Sequence, residues 1–166
     1  MKNDKHLLIS LEERHATNIF AGTKRVELRR REMRVDPGDT VWIYVKLPVG
    51  CVAGYATVES THAMSPPQLW RRFGSCSGLE RTEFFDYFAG VNRAFALSLI
   101  DAQVLPSPVS LAGLRKASSG FQPPQFFSRV EAGGPLFSAM SAGQQLRSSE
   151  AKGPSRLRST QMVALA

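Results

Sequence analysis

Cysteine and histidine are scarce in this chain, and their spacing argues against a domain stabilised by disulfides or by a structural zinc ion. The only cysteines are Cys51 and Cys76, and the histidines are His6, His15 and His62. Two cysteines do not make a disulfide framework, so a reducing compartment is the simpler interpretation. A structural zinc site needs about four clustered ligands, and these residues are scattered. We therefore expect no metal, and we interpret both cysteines as small apolar packing residues.

The sequence signatures of several enzyme classes are also missing. No G-x-x-x-x-G-K-[ST], G-x-G-x-x-G, G-x-S-x-G or H-E-x-x-H motif occurs. These motifs mark nucleotide hydrolysis, dinucleotide binding, serine hydrolysis and zinc proteolysis. Their absence lowers the expectation of catalysis without removing it, and we expect no cofactor.

Long apolar runs are absent from the first residues of the chain. Residues 1–15, MKNDKHLLISLEERH, return to charge after a very short apolar run. Such a run fits neither a signal peptide nor a membrane-spanning helix. We therefore expect a cytoplasmic protein without membrane contact.

Positive charge, in contrast, is abundant. The net charge is +7 over 166 residues, and the pI is about 9.9. That balance suggests a polyanionic partner such as RNA, or an anionic ligand. The alternative is a generic basic surface, because many basic proteins bind no nucleic acid. The length suits a single domain.

The composition changes near residue 130. Residues 131–166 are rich in Ala, Gly and Ser, and they carry four basic and two acidic residues, a net charge of +2 that leaves +5 for residues 1–130. Within this tail, residues 148–160 show no helical or strand period. The sequence therefore predicts a folded basic domain over 1–130 and a disordered basic tail over 131–166.

The apolar pattern of residues 1–130 predicts an α+β domain with neighbouring strands. A capping box of Ser10 and Glu13 and a left-handed Gly22 would bound the first helix. Regular strand–helix alternation is missing, which favours a small, mainly antiparallel β-barrel with helices at its ends. The predicted strands are 7–11, 25–30, 40–47, 51–61 and 93–105, the helices are 12–21, 65–73 and 80–88, residues 106–116 form a loop and a helical turn, and 121–127 closes the core.

Residues 22–34, GTKRVELRRREMR, concentrate the charge, since six of these thirteen residues are Lys or Arg. Strand alternation predicts one polar face and one core face. The core face would hold Val26 and Leu28. The polar face would hold Arg25, Glu27, Arg29 and Arg31. The alternative is a solvated strand face on which Glu27 and Arg29 merely neutralise each other.

Three side chains of this stretch have chemistry suited to a ligand site. Lys24 is a mobile point charge for a phosphate or a developing oxyanion, or a base if desolvated. Glu27 can accept a hydrogen bond from a base amino group or activate a water. Arg29 can bind a phosphate or carboxylate through two parallel hydrogen bonds, or keep Glu27 ionised.

The spacing Gly22-x-Lys24-x-x-Glu27-x-Arg29, after a strand and an amphipathic helix, resembles the signature of the ASCH domains, a family of the PUA-like superfamily. The resemblance continues through VWIYV, VAGYATVE, SPPQLW, FFDYFAG, AFALSLIDA and PPQFF, and covers roughly residues 6–129. It implies a barrel of five or six strands, and we expect a basic ligand cleft beside the first helix. The four motif residues would line this cleft, supported by a nucleic-acid-attracting field of Arg25, Arg30, Arg31 and Arg34.

The resemblance also implies a choice between two functions. Family members are thought to bind RNA or act in RNA-linked regulation, while some deacylate a modified cytidine and others are described as ribonucleases. In the deacylating members a lysine works with a threonine three residues later and a separate glutamate. Lys24 matches the lysine, Glu27 occupies the threonine position, and Glu80 and Glu83 lie in the region of the glutamate. We therefore expect an RNA- or nucleotide-binding module, with Lys24 and Glu27 as catalytic residues only if the protein is a hydrolase.

Other aromatic residues and one histidine admit both functional and structural interpretations. Trp42 and Tyr44 share a strand face, where core packing is favoured over base stacking. Trp70, with Arg71 and Arg72 beside it, forms a stacking and phosphate site or, more commonly, anchors a short helix. His15 is most simply a surface histidine. The last pair, Phe126 and Phe127, is expected to plug the core.

Overall fold

The computed structural model describes residues 5–150, which form a mixed α+β domain. Five helices and a short 3-10 turn, Gly74–Cys76, accompany a single six-stranded sheet. The strands are β1 (His6–Leu11), β2 (Val26–Arg29), β3 (Thr40–Val45), β4 (Cys51–Met64), β5 (Ala94–Ser110) and β6 (Phe127–Val130). The helices are α1 (Glu13–Ala21), α2 (Pro66–Phe73), α3 (Arg81–Tyr87), α4 (Leu111–Ala117) and α5 (Pro135–Glu150).

The sheet is mostly antiparallel, but it does not close into the expected barrel. Its strand order is β2-β5-β4-β3-β1-β6, and only β1 and β3 run parallel. The two edge strands have four residues each, and no ladder joins them among the described residues. Side chains span the seam instead: Arg29 Nη1 donates to the Phe126 carbonyl and Arg129 Nη2 to the Arg34 carbonyl, both at 2.9 Å. The barrel prediction is therefore replaced by an open six-stranded sheet.

The apolar side chains form three buried clusters around this sheet. One lies beneath α1 and includes Ile9, Ile19 and Leu97, with Phe126 and Phe127 packed at its edge. A second cluster contains Trp42 and Tyr44, and a third lies under α2 and α3. The predicted packing role of Trp42 and Tyr44 is confirmed, because both are no more than 2 % exposed. Phe126 and Phe127 also pack against the core, but they are only partly buried.

The first helix begins two residues later than its predicted capping box requires. Its N-cap is Glu12, with no side-chain cap, because Ser10 still belongs to β1 and pairs with Tyr44. The predicted end is confirmed: Gly22 has φ of 80° and its N–H bonds to helix carbonyls. This left-handed residue turns the chain sharply, so that β2 starts close to the end of α1.

Gly54 explains how closely α1 approaches the sheet. An added Cβ at this position would lie 2.2 Å from the Gln103 carbonyl oxygen and 2.5 Å from Phe20 Cε1. The β4–β5 register shifts beside it, between Val52 and Gly54. The predicted bulge or close approach at this glycine is confirmed, and it seats the last turn of α1 against the sheet.

Two segments differ from their predicted structure. Strand β5 continues to Ser110, through the predicted loop, because Pro106 and Pro108 fall where the β4–β5 register shifts and no ladder donor is needed. The disorder predicted from residue 131 is wrong for residues 135–150, which form α5. Met140 of this helix is fully buried. Residues 151–166, the rest of the predicted tail, lie outside the described part.

No helix among the described residues is long and apolar enough to cross a membrane.

Candidate functional site

A cleft of about 510 Å³ lies where α1, β2 and α3 meet. The end of β1 and the start of the β3–β4 turn complete its walls. The cleft is lined by Ser10, Leu11, Glu12, Arg14, His15, Lys24, Glu27, Leu28, Arg29, Lys46, Leu79, Glu83, Asp86, Tyr87 and Gln125. Three of the four motif residues, Lys24, Glu27 and Arg29, therefore meet here, while Gly22 shapes the turn that delivers them.

Lys24 reaches the cleft through the turn that ends α1. Its backbone N–H bonds to the Asn18 carbonyl at 3.0 Å, and the residue is only 3 % exposed. Its Nζ donates to the Ser77 carbonyl at 2.6 Å, so it is a held group and not the mobile charge expected from the sequence. Burial lowers the pKa of this ammonium, although the nearby Glu27 carboxylate favours its charged form. Its position suits a proton donor or acceptor at the cleft floor.

Glu27 and Arg29 form a buried ion pair on the same face of β2. Arg29 Nε lies 3.2 Å from Glu27 Oε1, and both side chains are less than a tenth exposed. The alternative of a solvated strand face is therefore wrong. Arg29 is further held by the Phe126 carbonyl, and its guanidinium lies 5.6 Å from the centre of the Phe126 ring. The pair is fixed in place before any ligand arrives.

Several buried polar atoms on this cleft lack a hydrogen-bond partner. Six such side-chain atoms occur among the residues whose side chains are described, and four of them belong to Ser10, His15 and Arg29. These atoms are Ser10 Oγ, His15 Nδ1, Arg29 Nη2 and Arg29 Nε, the last of which still lies 3.2 Å from the Glu27 carboxylate. Buried polar groups are normally satisfied, so this concentration points to a ligand that supplies the missing partners.

His15 lies in the cleft and not on an ordinary surface, so that interpretation was wrong. It is half-buried, and burial, reinforced by the charge of Lys24, lowers the pKa of its imidazole. The helical period contained the signal, because His15 precedes Ile19 by four residues and shares its inward-facing side. Ser10 could not be found in this way, since its exposure to the cleft depends on where α3 packs.

Helix α3 supplies the opposite wall, and of its lining residues only Glu83 had been considered from the sequence. Arg14 of α1 pairs with Glu83 of α3 across the cleft, and both side chains are partly exposed. Tyr87 donates from its hydroxyl to the Leu28 carbonyl at 3.2 Å and so ties α3 to β2. Of the two glutamates considered for a catalytic role, Glu83 lines the cleft, whereas Glu80 is the exposed N-cap of α3.

The lining of the cleft is balanced in charge and is not the basic cleft that we expected. Its four cationic residues are matched by four carboxylates. The cationic residues are Arg14, Lys24, Arg29 and Lys46, and the carboxylates are Glu12, Glu27, Glu83 and Asp86. A cleft with this balance has no general attraction for phosphate, and it presents hydrogen-bond donors and acceptors side by side.

The predicted nucleic-acid field lies outside the cleft lining. Arg25, Arg31 and Arg34 are exposed. They do not continue the polar face of β2, because this strand covers only residues 26–29 and alternation ends with it. Arg30 is also exposed, but its guanidinium donates to the carbonyls of Tyr87 and Ala89 and holds the end of α3. Of the four arginines in this field, Arg30 therefore stabilises the end of α3, and the other three are exposed to solvent.

No group of three or more His, Cys, Asp or Glu side chains within residues 5–150 is arranged to hold a metal ion. Cys51 is half-buried and Cys76 is buried, and both are free thiols.

Comparison with known proteins agrees with the fold and with the motif. The family model described as "ASCH domain" matches residues 9–93. An "ASCH domain-containing ribonuclease" of Zymomonas mobilis is 36% identical over 121 residues, which are 73% of this chain and 81% of that protein. The crystal structure of ASCH from Zymomonas mobilis superposes with a TM-score of 0.78 at 32% identity, covering 83% of this chain and 94% of the other.

A more distant likeness concerns the fold alone. The N-terminal domain of Staphylothermus marinus McrB superposes with a TM-score of 0.54 at 12% identity, over 82% of this chain and 93% of that domain. The family match covers half of the chain, and the ribonuclease-named relative is similar over most of its length. The chain therefore belongs to the ASCH domain family of the PUA-like superfamily.

Proposed function

We propose that this protein binds single-stranded RNA and holds one unpaired base in the cleft. The observation that carries the proposal is the lining of the cleft, which contains the buried Glu27 carboxylate and two residues with unpartnered groups, Arg29 with Nη2 and Ser10 with Oγ. The edge of a nucleobase carries donors and acceptors side by side, which matches this lining. Unpaired bases in loops and single strands can enter such a site, whereas paired bases cannot.

The charge balance of the lining supports a base over a phosphate as the buried group. A phosphate next to Glu27 would be repelled by the carboxylate and would have to compete with it for Arg29. The phosphates of the strand instead have partners outside, at the exposed Arg25, Arg31 and Arg34. Such exposed contacts steer RNA to the protein and make binding depend on salt.

Cleavage of the bound RNA is the second candidate function. It is favoured by the relative named a ribonuclease and by the buried Lys24, because burial lowers the pKa of this amine and so makes it easier to deprotonate. Deacylation of a modified nucleoside is less well supported, because Glu27 stands where the deacylating members have threonine.

The binding proposal is tested with fluorescent single-stranded RNA and the variant Glu27→Gln. This change keeps the shape of the side chain but removes the strong acceptor, so we expect a loss of about 1–3 kcal/mol in binding. Glu32→Gln is the matched control, since it removes the same charge from an exposed position outside the cleft. Equal affinities for both variants, with Glu27→Gln folded by circular dichroism, would refute base binding in the cleft.

The same oligomers, labelled at one end, decide between binding alone and cleavage. If the protein is a ribonuclease, Lys24→Met abolishes cleavage while retaining the fold and most of the RNA affinity. Intact RNA after incubation with the wild-type protein, under conditions where binding is measured, assigns the protein to binding alone. Cleavage that persists in Lys24→Met removes the catalytic role of this lysine.

A further inference from the structure

A second surface depression, of about 520 Å³, lies between α2 and the end of β4. It is lined by Met64, Gln68, Arg71 and Arg72. Both arginines are exposed in the last turn of α2, and no carboxylate among residues 5–150 pairs with either. Within this range, neither arginine is therefore held in an ion pair, in contrast to Arg14 and Arg29 of the cleft.

Gln68 adds hydrogen-bond donors to the same depression. Its Oε1 faces Ser65, whose backbone N–H donates at 3.3 Å and whose hydroxyl lies at 3.1 Å. Fixing the amide oxygen in this way turns the amide NH₂ group away from Ser65, so that it can donate to a ligand. Two guanidinium groups and one amide make a site composed of donors, as an oxyanion requires.

Aromatic rings pack against one of these donors. The guanidinium of Arg72 lies 5.1 Å from the centre of the Phe73 ring, and the His62 ring lies 4.7 Å from it on β4. Trp70, the stacking residue considered from the sequence, instead packs against Phe84 at 5.0 Å and anchors α2. The contact with Phe73 therefore positions the Arg72 guanidinium at the depression.

The depression and the cleft lie on neighbouring parts of one sheet. His62 of β4 and Leu28 of β2 are both paired with Ala96 of β5, so they are two strands apart. Adjacent strands are separated by about 4.8 Å, which places these two residues about 10 Å apart. Leu28 and Ala96 are buried beneath α2 and α3, which pack against each other, so a strand of RNA passes from the cleft to the depression over the outer surface of these two helices.

We propose that the RNA strand whose base occupies the cleft continues over α3 and α2, and that Arg71 and Arg72 bind its backbone phosphates. The inference rests on the proposed RNA binding and adds a second subsite to it. The recognised chemistry is the phosphodiester backbone, so this subsite contributes affinity and salt dependence for any base sequence. A ligand too short to leave the cleft does not reach it.

The test compares the double variant R71A/R72A with R115A/K116A. Arg115 and Lys116 are also exposed neighbours in the last turn of a short helix, but α4 packs against α5 and β5, away from the cleft. Both double variants lose two positive charges. Each is titrated with a dinucleotide and with a single-stranded oligomer of about 12 nucleotides, at several salt concentrations.

For R71A/R72A we expect weaker binding of the longer oligomer, unchanged binding of the dinucleotide, and a salt slope reduced by about 1.4, or about 0.7 for each phosphate lost. The control should keep the wild-type slope. An unchanged slope in R71A/R72A, or equal losses in both double variants, would overturn the second subsite. Failure of RNA binding altogether is distinguished from this result, because the wild-type protein would then bind neither oligomer.

Discussion

Residues 22–34 contain two sets of charged side chains that are close in sequence and opposite in environment. Lys24, Glu27 and Arg29 are 3–7 % exposed and fixed by neighbours, whereas Arg31 and Arg34 are exposed. The difference shows that residue type does not decide the role of a charge here. The role is decided by the position of the residue relative to the four-residue strand β2, because only residues within this strand or just before it are directed into the cleft.

The largest expected difference between the two sets is in stability. Arg29→Met leaves Glu27 buried without its counter-charge and removes the bond to the Phe126 carbonyl. Breaking a buried pair in this way costs about 3–5 kcal/mol in the free energy of unfolding. The exposed Arg31→Met should change it by less than about 0.5 kcal/mol. Urea unfolding of both variants measures the difference, and similar midpoints would mean that the buried and exposed arginines are energetically alike.

A smaller effect separates two adjacent arginines of the exposed field. Arg30 donates to the carbonyls of Tyr87 and Ala89, whereas Arg31 makes no such bond. Arg30→Ala should therefore lower the free energy of unfolding by about 1 kcal/mol, and Arg31→Ala should leave it unchanged. Thermal unfolding of both variants provides the measurement. If Arg31→Ala is the more destabilising, the structural role assigned to Arg30 is incorrect.

The smallest effect is a dependence of stability on pH that arises in the cleft. Burial lowers the pKa of His15 below its ordinary value of about 6.5, so the unfolded chain takes up a proton first as the pH falls. The contribution of neutral His15 to the free energy of unfolding is fully present above about pH 6.5. It is lost as the pH falls through the lowered pKa of the folded protein. His15→Gln should flatten this decline in urea unfolding between pH 7 and 5. Because the pKa of His62 is also lowered by burial, His62→Gln is measured in parallel. An unaltered decline in His15→Gln would contradict the assigned protonation state.

Much of the fold could be predicted because its signals are local. Gly22 ends α1 as a left-handed residue must, Ser65 with two prolines starts α2, and the β-branched and aromatic residues of β3 form a buried strand. Closure of the sheet was not predictable in this way, because it depends on whether β2 meets β6. Helix α5 was missed because few large apolar residues, among them Met140, Leu136 and Phe137, attach it to the core.

The residues of the candidate site were likewise predictable only where the signal was local. The motif spacing identified Lys24, Glu27 and Arg29, which lie in one short segment of the chain. Side-chain alternation along the strand then placed Glu27 and Arg29 on the same face. Glu83 and Tyr87 come from a helix more than fifty residues later, and only tertiary packing brings them to the same cleft. The charge balance was missed for this reason, because the carboxylates that offset the basic residues arrive largely from other elements.

Arg29 has a second role at the seam of the open sheet, where β2 lies near the segment that leads into β6. Its Nη1 holds the Phe126 carbonyl, its Nη2 has no partner among the described residues, and the residue lines the cleft, so one rigid guanidinium connects the cleft lining with the segment that leads into β6. A ligand that engages Nη2 restrains Nη1 as well, because the group is planar. A ligand in the cleft therefore also restrains the backbone around Phe126. Slower amide hydrogen exchange in that segment, at the other edge of the sheet, would report binding.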